Sequence, residues 1–232
     1  MLLNAALSTQ MLASVTNLDE AKIALEAGVD IIDLKNPLEG ALGALPLDVV
    51  SEIVCAVHHQ RIVSATIGNL PMQPHGLLEA TQAMLATGVD VVKIGFFGQH
   101  HHSDCLQALK PIAEKHKLIA VLFADEAPDF GLLRQIADAG FYGVMLDTAQ
   151  KNGPHLCHYL SGDDLRAFVF AASELGLQSG LAGSLKAEDV ADLLLTKPSY
   201  LGFRGALCEA ENRISSLQAS KVIAIKALMA TV

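Results

Sequence analysis

The amino-acid sequence predicts a single (β/α)8 TIM barrel, that is, a closed parallel sheet of eight strands surrounded by helices. Three observations lead to this α/β prediction. Short apolar runs alternate strictly with stretches of helical spacing, eight of each. A phrase of helix end, glycine, short turn and strand recurs, as in LEAGVDIIDL and LATGVDVVKI. The 232 residues, 51% of them apolar, show no linker and no shift in composition, which suits one large domain.

Each predicted strand is a short, nearly continuous apolar run, as expected for parallel strands that are buried on both faces. In chain order the predicted strands are 12–15, 31–34, 62–66, 91–95, 119–123, 143–146, 178–182 and 200–204. The first strand follows Met11 closely. We therefore expect a barrel domain over residues 11–232, with residues 1–10 as an N-terminal appendage.

The predicted helices lie between these strands, and several have recognisable ends. Asn17 and Ser161 can cap N-termini, and glycines such as Gly28 and Gly140 suit C-terminal stops. The helical stretches are 18–27, 47–59, 76–87, 103–116, 129–139, 162–175, 187–195 and 211–229.

Composition and charge exclude several classes of protein. A net charge of −9 and a pI near 5.4 disfavour binding to nucleic acid. No window reaches the roughly 18 apolar residues that span a bilayer, so we expect no membrane partner. The four cysteines are far apart without paired metal spacing, which favours reduced thiols and a cytoplasmic location. The sequence is also compatible with a homo-oligomer.

Ionisable residues cluster where the predicted strands end, and active sites of such barrels form at the carboxyl ends of the strands. Asp33 and Lys35 end the second strand, Lys93 lies in the fourth, and Asp147 and Lys151 follow the sixth. Residues two apart share a strand face, so an acid and an amine are expected in one pocket. Burial lowers the pKa of a lysine, and a neutral amine attacks carbonyls. Imine chemistry on a carbonyl substrate follows as a hypothesis.

Each of these residues alone would be interpreted as part of a buried ion pair or as a solvated loop charge. Several of them at one rim favour a functional site. Neighbouring ammonium groups disfavour each other's charge, so one lysine can become neutral while another stays protonated to bind phosphate or donate a proton. Carboxylates beside them can transfer protons.

Other strand ends predict contacts with a phosphorylated substrate. The small residues after the last two strands can present backbone amides at the place where such barrels often bind phosphate. An arginine after the last strand adds one guanidinium there. Glycines at these places also serve tight turns alone, and this alternative stays open. The predicted substrate-binding and phosphate-binding residues are Ser64, Thr66, Asp125, Gly183, Ser184, Leu185, Arg204, Gly205 and Ala206.

No metal and no organic cofactor is expected at this site. The run His100, His101 and His102 lies in the loop after the fourth strand, and adjacent histidines cannot all turn to one ion, so we expect an exposed loop. The chain has no GxGxxG after its first strand and no Walker loop, which argues against a bound dinucleotide or ATP.

Six segments of the chain resemble one known family, the (5-formylfuran-3-yl)methyl phosphate synthases, from Met11 nearly to the end. They are DLKNPLEGALGA (33–44), SATIGNLP (64–71), KIGFFG (93–98), MLDTAQK (145–151), LAGSL (181–185) and GFRGALC (202–208). The resemblance implies a barrel enzyme that makes the furan precursor of methanofuran from two molecules of glyceraldehyde 3-phosphate, releasing phosphate and water. The departures are an N-terminal extension, the histidine-rich loop and a shorter segment around 124–130.

The resemblance also implies catalytic roles. Lys35 corresponds to the lysine that forms the Schiff base, and Asp33, Lys93, Asp147 and Lys151 match the family's other catalytic residues. Together with the analysis above, this gives a hypothesis in which one carboxylate relays protons and the other two lysines bind phosphate and lower the pKa of the nucleophile. Two alternatives are another Schiff-base aldolase acting on sugar phosphates and a non-catalytic barrel that binds a phosphorylated metabolite.

Overall fold

The computed structural model describes residues 8–151 and 153–230. It confirms the predicted architecture, because eight parallel strands form a closed barrel in which each strand pairs with the next and the last pairs with the first. The strands are β1 (Gln10–Val15), β2 (Ile31–Leu34), β3 (Ile62–Thr66), β4 (Val91–Gly95), β5 (Lys117–Phe123), β6 (Gly143–Asp147), β7 (Gln178–Leu181) and β8 (Tyr200–Phe203).

Helices surround the barrel and connect successive strands. Within the described residues they are α1 (Leu18–Glu26), α2 (Leu47–Val57), α3 (Pro74–Leu85), α4 (His102–Ala113), α5 (Leu132–Asp138), α6 (Leu156–Tyr159), α7 (Gly162–Glu174), α8 (Val190–Leu194) and α9 (Ala219–Met229). The expected caps are present: Asn17 accepts from the N–H of Glu20, and Ser161 forms a capping box with Asp164. None of these helices combines the length and the apolar character that crossing a membrane would require.

Two apolar clusters fix the strands, one between barrel and helices and one inside the barrel. The inner cluster includes Leu12, Ile31, Val91 and Met145. Because strand side chains alternate, the residues two positions further along share the inner face. In these four strands they are Ser14, Asp33, Lys93 and Asp147, all buried. A polar layer therefore lies on top of an apolar one, at the carboxyl ends of the strands.

The barrel begins before the predicted boundary at Met11. The N–H of Gln10 donates to the carbonyl of Ser199 over 2.9 Å, and the Thr9 hydroxyl donates to the carbonyl of Pro198 over 2.8 Å. The last residues of the predicted appendage 1–10 thus join β8 of the barrel, while residues 1–7 lie outside the described residues.

The prediction of one long helix over 211–229 is wrong in its first part, because α9 begins only at Ala219. The preceding segment folds back over the start of α1. The N–H of Leu217 donates to Glu20 Oε1 over 3.0 Å, and the carbonyl of Ser215 accepts from Arg204 over 2.9 Å. These hydrogen bonds use backbone groups that a helix would have paired internally.

The connections after β6 and β7 also differ from the prediction. The short helix α6 was not predicted, and the expected helix 187–195 consists of a 3-10 turn, Ala187–Asp189, followed by α8. Both connections contribute residues near the mouth of the barrel.

Candidate active site

A cavity of about 240 Å³ opens at the carboxyl ends of the strands. The structure brings ten of the predicted site residues to its lining. They are Lys35, Lys93, Asp147, Lys151, Gly183, Ser184, Leu185, Arg204, Gly205 and Ala206. Four others, Asp33, Ser64, Thr66 and Asp125, do not line the cavity.

Asp33 lies behind the cavity and holds Lys93. Lys93 Nζ is 2.6 Å from Asp33 Oδ1, and both side chains are almost fully buried. The hydroxyls of Ser64 and Ser14 donate to Asp33 Oδ1 and Oδ2 over 2.7 and 2.9 Å. Burial raises the pKa of Asp33, but the charges of Lys93 and Lys35 and the hydrogen bonds from Lys93 and Ser64 outweigh burial and lower the pKa below its usual value. Both carboxylate oxygens of Asp33 are therefore engaged.

Asp147 connects the other two lysines. Its Oδ1 accepts from Lys151 Nζ over 2.5 Å and from the N–H of Thr148 over 2.8 Å, while Oδ2 is 3.9 Å from Lys35 Nζ. Burial disfavours the charged carboxylate, but Lys151 and Lys35 outweigh burial and lower the pKa of Asp147 to about 2. Asp147 is thus a carboxylate at neutral pH, with one oxygen facing Lys35.

Lys35 has the electrostatic setting of an amine nucleophile. Its side chain is 9% exposed. Burial is the main cause that lowers its pKa to about 7, and the charges of Lys151 and Lys93 lower it further, against the opposing effect of Asp147 and Asp33. A pKa near 7 leaves a substantial share of this amine neutral at pH 7, whereas an ordinary exposed lysine is almost entirely protonated.

The loops after β7 and β8 present unpaired amides to the cavity. The N–H groups of Gly183, Ser184, Leu185, Gly205 and Ala206 have no acceptor among the described residues. Gly183 has φ +109°, and a Cβ there would lie 2.9 Å from Thr148 Cγ2, so a glycine is needed for this close approach. Such a group of amides at one wall of a cavity can bind an anion.

Arg204 lines the cavity, but protein groups engage its guanidinium, which was predicted to bind phosphate. Its guanidinium donates to both carboxylate oxygens of Glu20, and to the carbonyls of Ser14, Arg213 and Ser215. These contacts use all five N–H groups of an arginine. The side chain therefore braces the loop after β8 and has no donor left for a substrate phosphate.

Like Lys186, Arg213 is a cationic residue of the cavity lining that was not predicted from the sequence. It lines the cavity, and Nη2 donates to the carbonyl of Gly40 over 2.9 Å, while its other N–H groups have no acceptor among the described residues. No strand-end pattern marks Arg213, because it lies in the segment predicted as the start of the last helix. Arg213 follows β8 in an irregular loop. Recognising that 211–218 is a loop and not an α-helix would have pointed to Arg213 as a residue at the mouth of the barrel.

Three other predicted substrate contacts are internal contacts of the protein. The Thr66 hydroxyl donates to the carbonyl of Gly43 over 2.9 Å, and the Ser64 hydroxyl holds Asp33 as described. Asp125 accepts from the N–H groups of Ala149 and Gln150, each over 2.7 Å. Ser64, Thr66 and Asp125 thus orient the site from outside the cavity.

The histidine run lies largely at the surface. His100 and His101 are exposed, as expected, whereas His102 is the first residue of α4 and its Nε2 is 3.2 Å from the carbonyl oxygen of Phe97. All four cysteines are free thiols, with Cys105 and Cys208 buried and Cys55 and Cys157 exposed.

Comparison with known proteins decides the family. Residues 11–226 match the 4-HFC-P synthase family. The chain belongs to this family of enzymes. The (5-formylfuran-3-yl)methyl phosphate synthases of Methanopyrus kandleri and Methanothermobacter thermautotrophicus are 36% and 33% identical to it, over 88% of this chain and 91% of each relative. A protein of Methylorubrum extorquens that carries the same name provisionally is 41% identical, over 95% of this chain and 92% of its own.

Solved structures that resemble this 4-HFC-P synthase family member share its fold at low sequence identity. The phosphoribosyl anthranilate isomerase of Thermotoga maritima superposes with a TM-score of 0.71 at 13% identity, over 97% of this chain and 100% of that one. The corresponding isomerase of Thermus thermophilus gives 0.68 at 16% identity, over 96% and 99%. These likenesses show the barrel fold alone.

Proposed function

We propose that this protein is a (5-formylfuran-3-yl)methyl phosphate synthase that condenses two molecules of glyceraldehyde 3-phosphate through a Schiff base on Lys35. The balanced reaction releases one phosphate and two waters and needs no oxidant or reductant. The observation that carries the proposal is the buried amine of Lys35, with a pKa of about 7, facing a cavity that Lys93 and Lys151 also line. The names of the related proteins support the choice of product.

The first step is attack of the neutral Lys35 amine on the aldehyde carbon of one triose phosphate. Loss of water from the carbinolamine gives an imine, whose positive charge makes the adjacent carbon acidic. The nearest carboxylate oxygen to Lys35 is Asp147 Oδ2, at 3.9 Å. Asp147 is therefore a better proton relay than Asp33, whose two oxygens already accept hydrogen bonds.

The second step is removal of a proton from that carbon and expulsion of phosphate from the next one. The C–O bond to phosphate breaks, and its electron pair leaves with the phosphate. Lys151 can protonate or pair with the leaving group, because burial lowers its pKa even beside Asp147, which raises it. Lys93, held by Asp33, supplies a second positive charge to the cavity.

The second triose phosphate isomerises so that its carbonyl lies at C2, and the terminal carbon of the remaining three-carbon unit adds to this carbon. Ring closure with dehydration gives the aromatic furan, and hydrolysis of the imine frees Lys35 and the formyl group. The phosphate of this second molecule stays in the product and needs its own binding place. The amides of Gly183–Leu185 and Gly205–Ala206, with Arg213, line one side of the cavity, here called the phosphate wall, where a phosphate dianion can bind. The product would supply the furan of methanofuran, as the family resemblance implies.

The proposal is tested by incubating the protein with glyceraldehyde 3-phosphate while measuring phosphate release, ultraviolet absorbance and product mass. We expect phosphate release together with a strongly absorbing furan aldehyde of the expected mass. Lys35→Met should abolish all three signals, whereas Lys22→Met, at an exposed position on α1, should leave them unchanged. A condensation product without furan absorbance would favour an aldolase, and stabilisation by ligand without turnover would favour a non-catalytic barrel.

A further inference from the structure

Three potential metal ligands lie together outside the main cavity. His155 immediately precedes α6, Cys157 lies within α6, and Asp189 ends the 3-10 turn before α8. One ligand atom of each lies within 4.8 Å of the other two. The two segments are far apart in sequence, so the local spacing of cysteines and histidines gave no sign of this cluster.

The geometry of the cluster approaches that of a tetrahedral zinc site. His155 Nδ1 is 3.5 Å from Asp189 Oδ2. Metal–ligand bonds of about 2.1 Å place neighbouring ligand atoms of a tetrahedral site about 3.4 Å apart. The histidine and aspartate atoms already have this separation. The thiol of Cys157 lies within 4.8 Å of both atoms, a distance that a side-chain rotation can shorten.

His155 Nδ1 is also a buried nitrogen that lacks a hydrogen bond in the described part of the chain. Its 3.5 Å contact with Asp189 does not have hydrogen-bond geometry. A buried polar atom without a partner is costly, and most such atoms in proteins have a protein, water or ion partner. A metal ion between the imidazole and the carboxylate would satisfy the lone pair of this nitrogen.

The donor set indicates which ion would fit. One imidazole nitrogen, one thiolate and one carboxylate suit zinc or a similar borderline-soft divalent ion better than magnesium or calcium, which prefer oxygen ligands alone. The N–H of Lys186 donates to Asp189 Oδ2 over 2.8 Å, which orients the carboxylate as outer hydrogen bonds do in zinc sites. Cys157 is exposed, so an ion can reach the cluster and keep a water as fourth ligand.

We propose that His155, Cys157 and Asp189 bind one Zn²⁺ ion, which joins the connection after β6 to the connection after β7. Both connections form walls of the main cavity: Gly153 lies two residues before His155, and Lys186 three before Asp189, and both line the cavity. The N–H of Leu156 already donates to the carbonyl of Gly183 over 2.9 Å. The ion would thus position the Lys151 loop against the amides of the phosphate wall, without touching the substrate.

The test is metal binding to the full chain after removal of metal with a chelator. Zinc should bind with one ion per chain in competition with a chromophoric chelator, and Co²⁺ should give the near-ultraviolet charge-transfer band of a thiolate ligand. Cys157→Ser and His155→Ala should weaken zinc binding by about 100-fold or more and abolish or strongly change the cobalt spectrum. Cys55→Ser, which removes the other exposed thiol, should bind like the unsubstituted protein.

Asp189→Asn keeps the matched shape and an oxygen for the N–H of Lys186, so this variant should fold normally yet bind zinc more weakly. Circular dichroism checks the fold of all variants. The proposal is overturned if the unsubstituted protein shows no thiolate band with cobalt, or if Cys157→Ser and Cys55→Ser bind zinc equally well. Both outcomes are independent of whether the furan synthase activity is found.

Discussion

Lys35 illustrates how neighbouring side chains can set the charge of one residue. Burial lowers its pKa most, Lys151 and Lys93 lower it further, and Asp147 and Asp33 oppose them. Asp147 has the largest charge effect on Lys35 and raises its pKa, while Lys151 pairs with the other oxygen of Asp147 at 2.5 Å. Lys151 thus acts on Lys35 both directly and by competing for the shared carboxylate.

Lys151→Gln is therefore expected to raise the pKa of Lys35 above about 7. Below the pKa, the rate at which an aldehyde forms an imine with Lys35 falls about tenfold for each pH unit, because the protonated amine is not a nucleophile. The measurement is the pH dependence of the rate of borohydride trapping with glyceraldehyde 3-phosphate. The midpoint of this profile should shift upward in Lys151→Gln and stay in place in Lys22→Gln. A midpoint that moves downward would show that Lys151 does not lower the pKa of Lys35.

The two arginines near the phosphate wall give a second residue-scale prediction. Arg213→Ala should raise the KM for glyceraldehyde 3-phosphate by roughly 10- to 100-fold, because one charge-assisted hydrogen bond to phosphate is worth about 1.5–3 kcal/mol. Its effect on the free energy of unfolding should be small, since within the described part of the chain the Arg213 side chain makes one hydrogen bond, to the carbonyl of Gly40.

Arg204→Ala is the matched control. It leaves Glu20 buried without its cation, which typically costs roughly 3–5 kcal/mol of stability. We expect a large fall in Tm for Arg204→Ala and a raised KM only for Arg213→Ala, measured by thermal unfolding and steady-state kinetics. The reverse pattern would restore the phosphate role to Arg204.

At the scale of elements, Asp125 fixes the loop that carries Lys151. This carboxylate follows β5, yet both its oxygens accept from the backbone of the next connection, at Ala149 and Gln150. The loop after β6 is in this way attached to the loop after β5. The role proposed for Lys151 requires such an attachment, because a displacement of about 1 Å can cost about 100-fold in rate.

Asp125→Ala should consequently lower kcat by about 10- to 100-fold with little change in KM, through displacement of Lys151. Because Lys151 lowers the pKa of Lys35, the same variant should also shift the trapping midpoint upward. Asp125→Asn keeps one oxygen acceptor and should recover part of the rate. If the pH dependence of borohydride trapping in Asp125→Ala matches that of the unsubstituted protein, Asp125 does not position Lys151.

Strand positions were predictable from sequence because buried parallel strands are short apolar runs with few alternatives. The bounds of β2, β3 and β4 agree with the prediction at both ends. The segment before α9 was not predictable in this way. Its conformation depends on two hydrogen bonds with the Glu20–Arg204 pair, which only the closed barrel brings together. The N–H of Leu217 donates to Glu20, and the carbonyl of Ser215 accepts from Arg204.

The same distinction holds for the site. Lys35, Lys93, Asp147 and Lys151 were found because the strand ends of a closed barrel must converge. The contacts of Thr66, Asp125 and Arg204 could not be predicted in this way. A position at a strand end does not tell whether a polar side chain faces the cavity or bonds to a neighbouring part of the protein. The zinc cluster joins residues of two connections and was equally hidden.

For the whole molecule, a lysine with a lowered pKa is a cost to stability. Between about pH 7 and 10.5 the unfolded chain binds a proton at Lys35 that the folded protein lacks, so the free energy of unfolding rises with pH across this window. Below about pH 7 both states are protonated, and the full penalty remains. In the proposed mechanism, this cost accompanies the neutral amine that attacks the substrate.

Lys35→Met should therefore stabilise the protein while it abolishes activity. Replacement of a buried charge by an apolar side chain of similar length is expected to gain about 1–4 kcal/mol at pH 7, and Asp147 keeps Lys151 as its partner. Denaturant unfolding should show the gain shrinking from pH 7 to pH 10 as the penalty in the unsubstituted protein fades. Lys22→Met should show neither effect, and a destabilised Lys35→Met would contradict the electrostatic account.

The central claim is that the amine of Lys35 attacks the aldehyde of the substrate. It is tested most directly by adding borohydride to the protein with glyceraldehyde 3-phosphate at pH 7 and locating the reduced adduct by peptide mass spectrometry. We predict one adduct per chain, on the peptide that contains Lys35 and on that lysine. An adduct on Lys93 or Lys151 instead, or turnover without any adduct in Lys35→Met, would contradict the account.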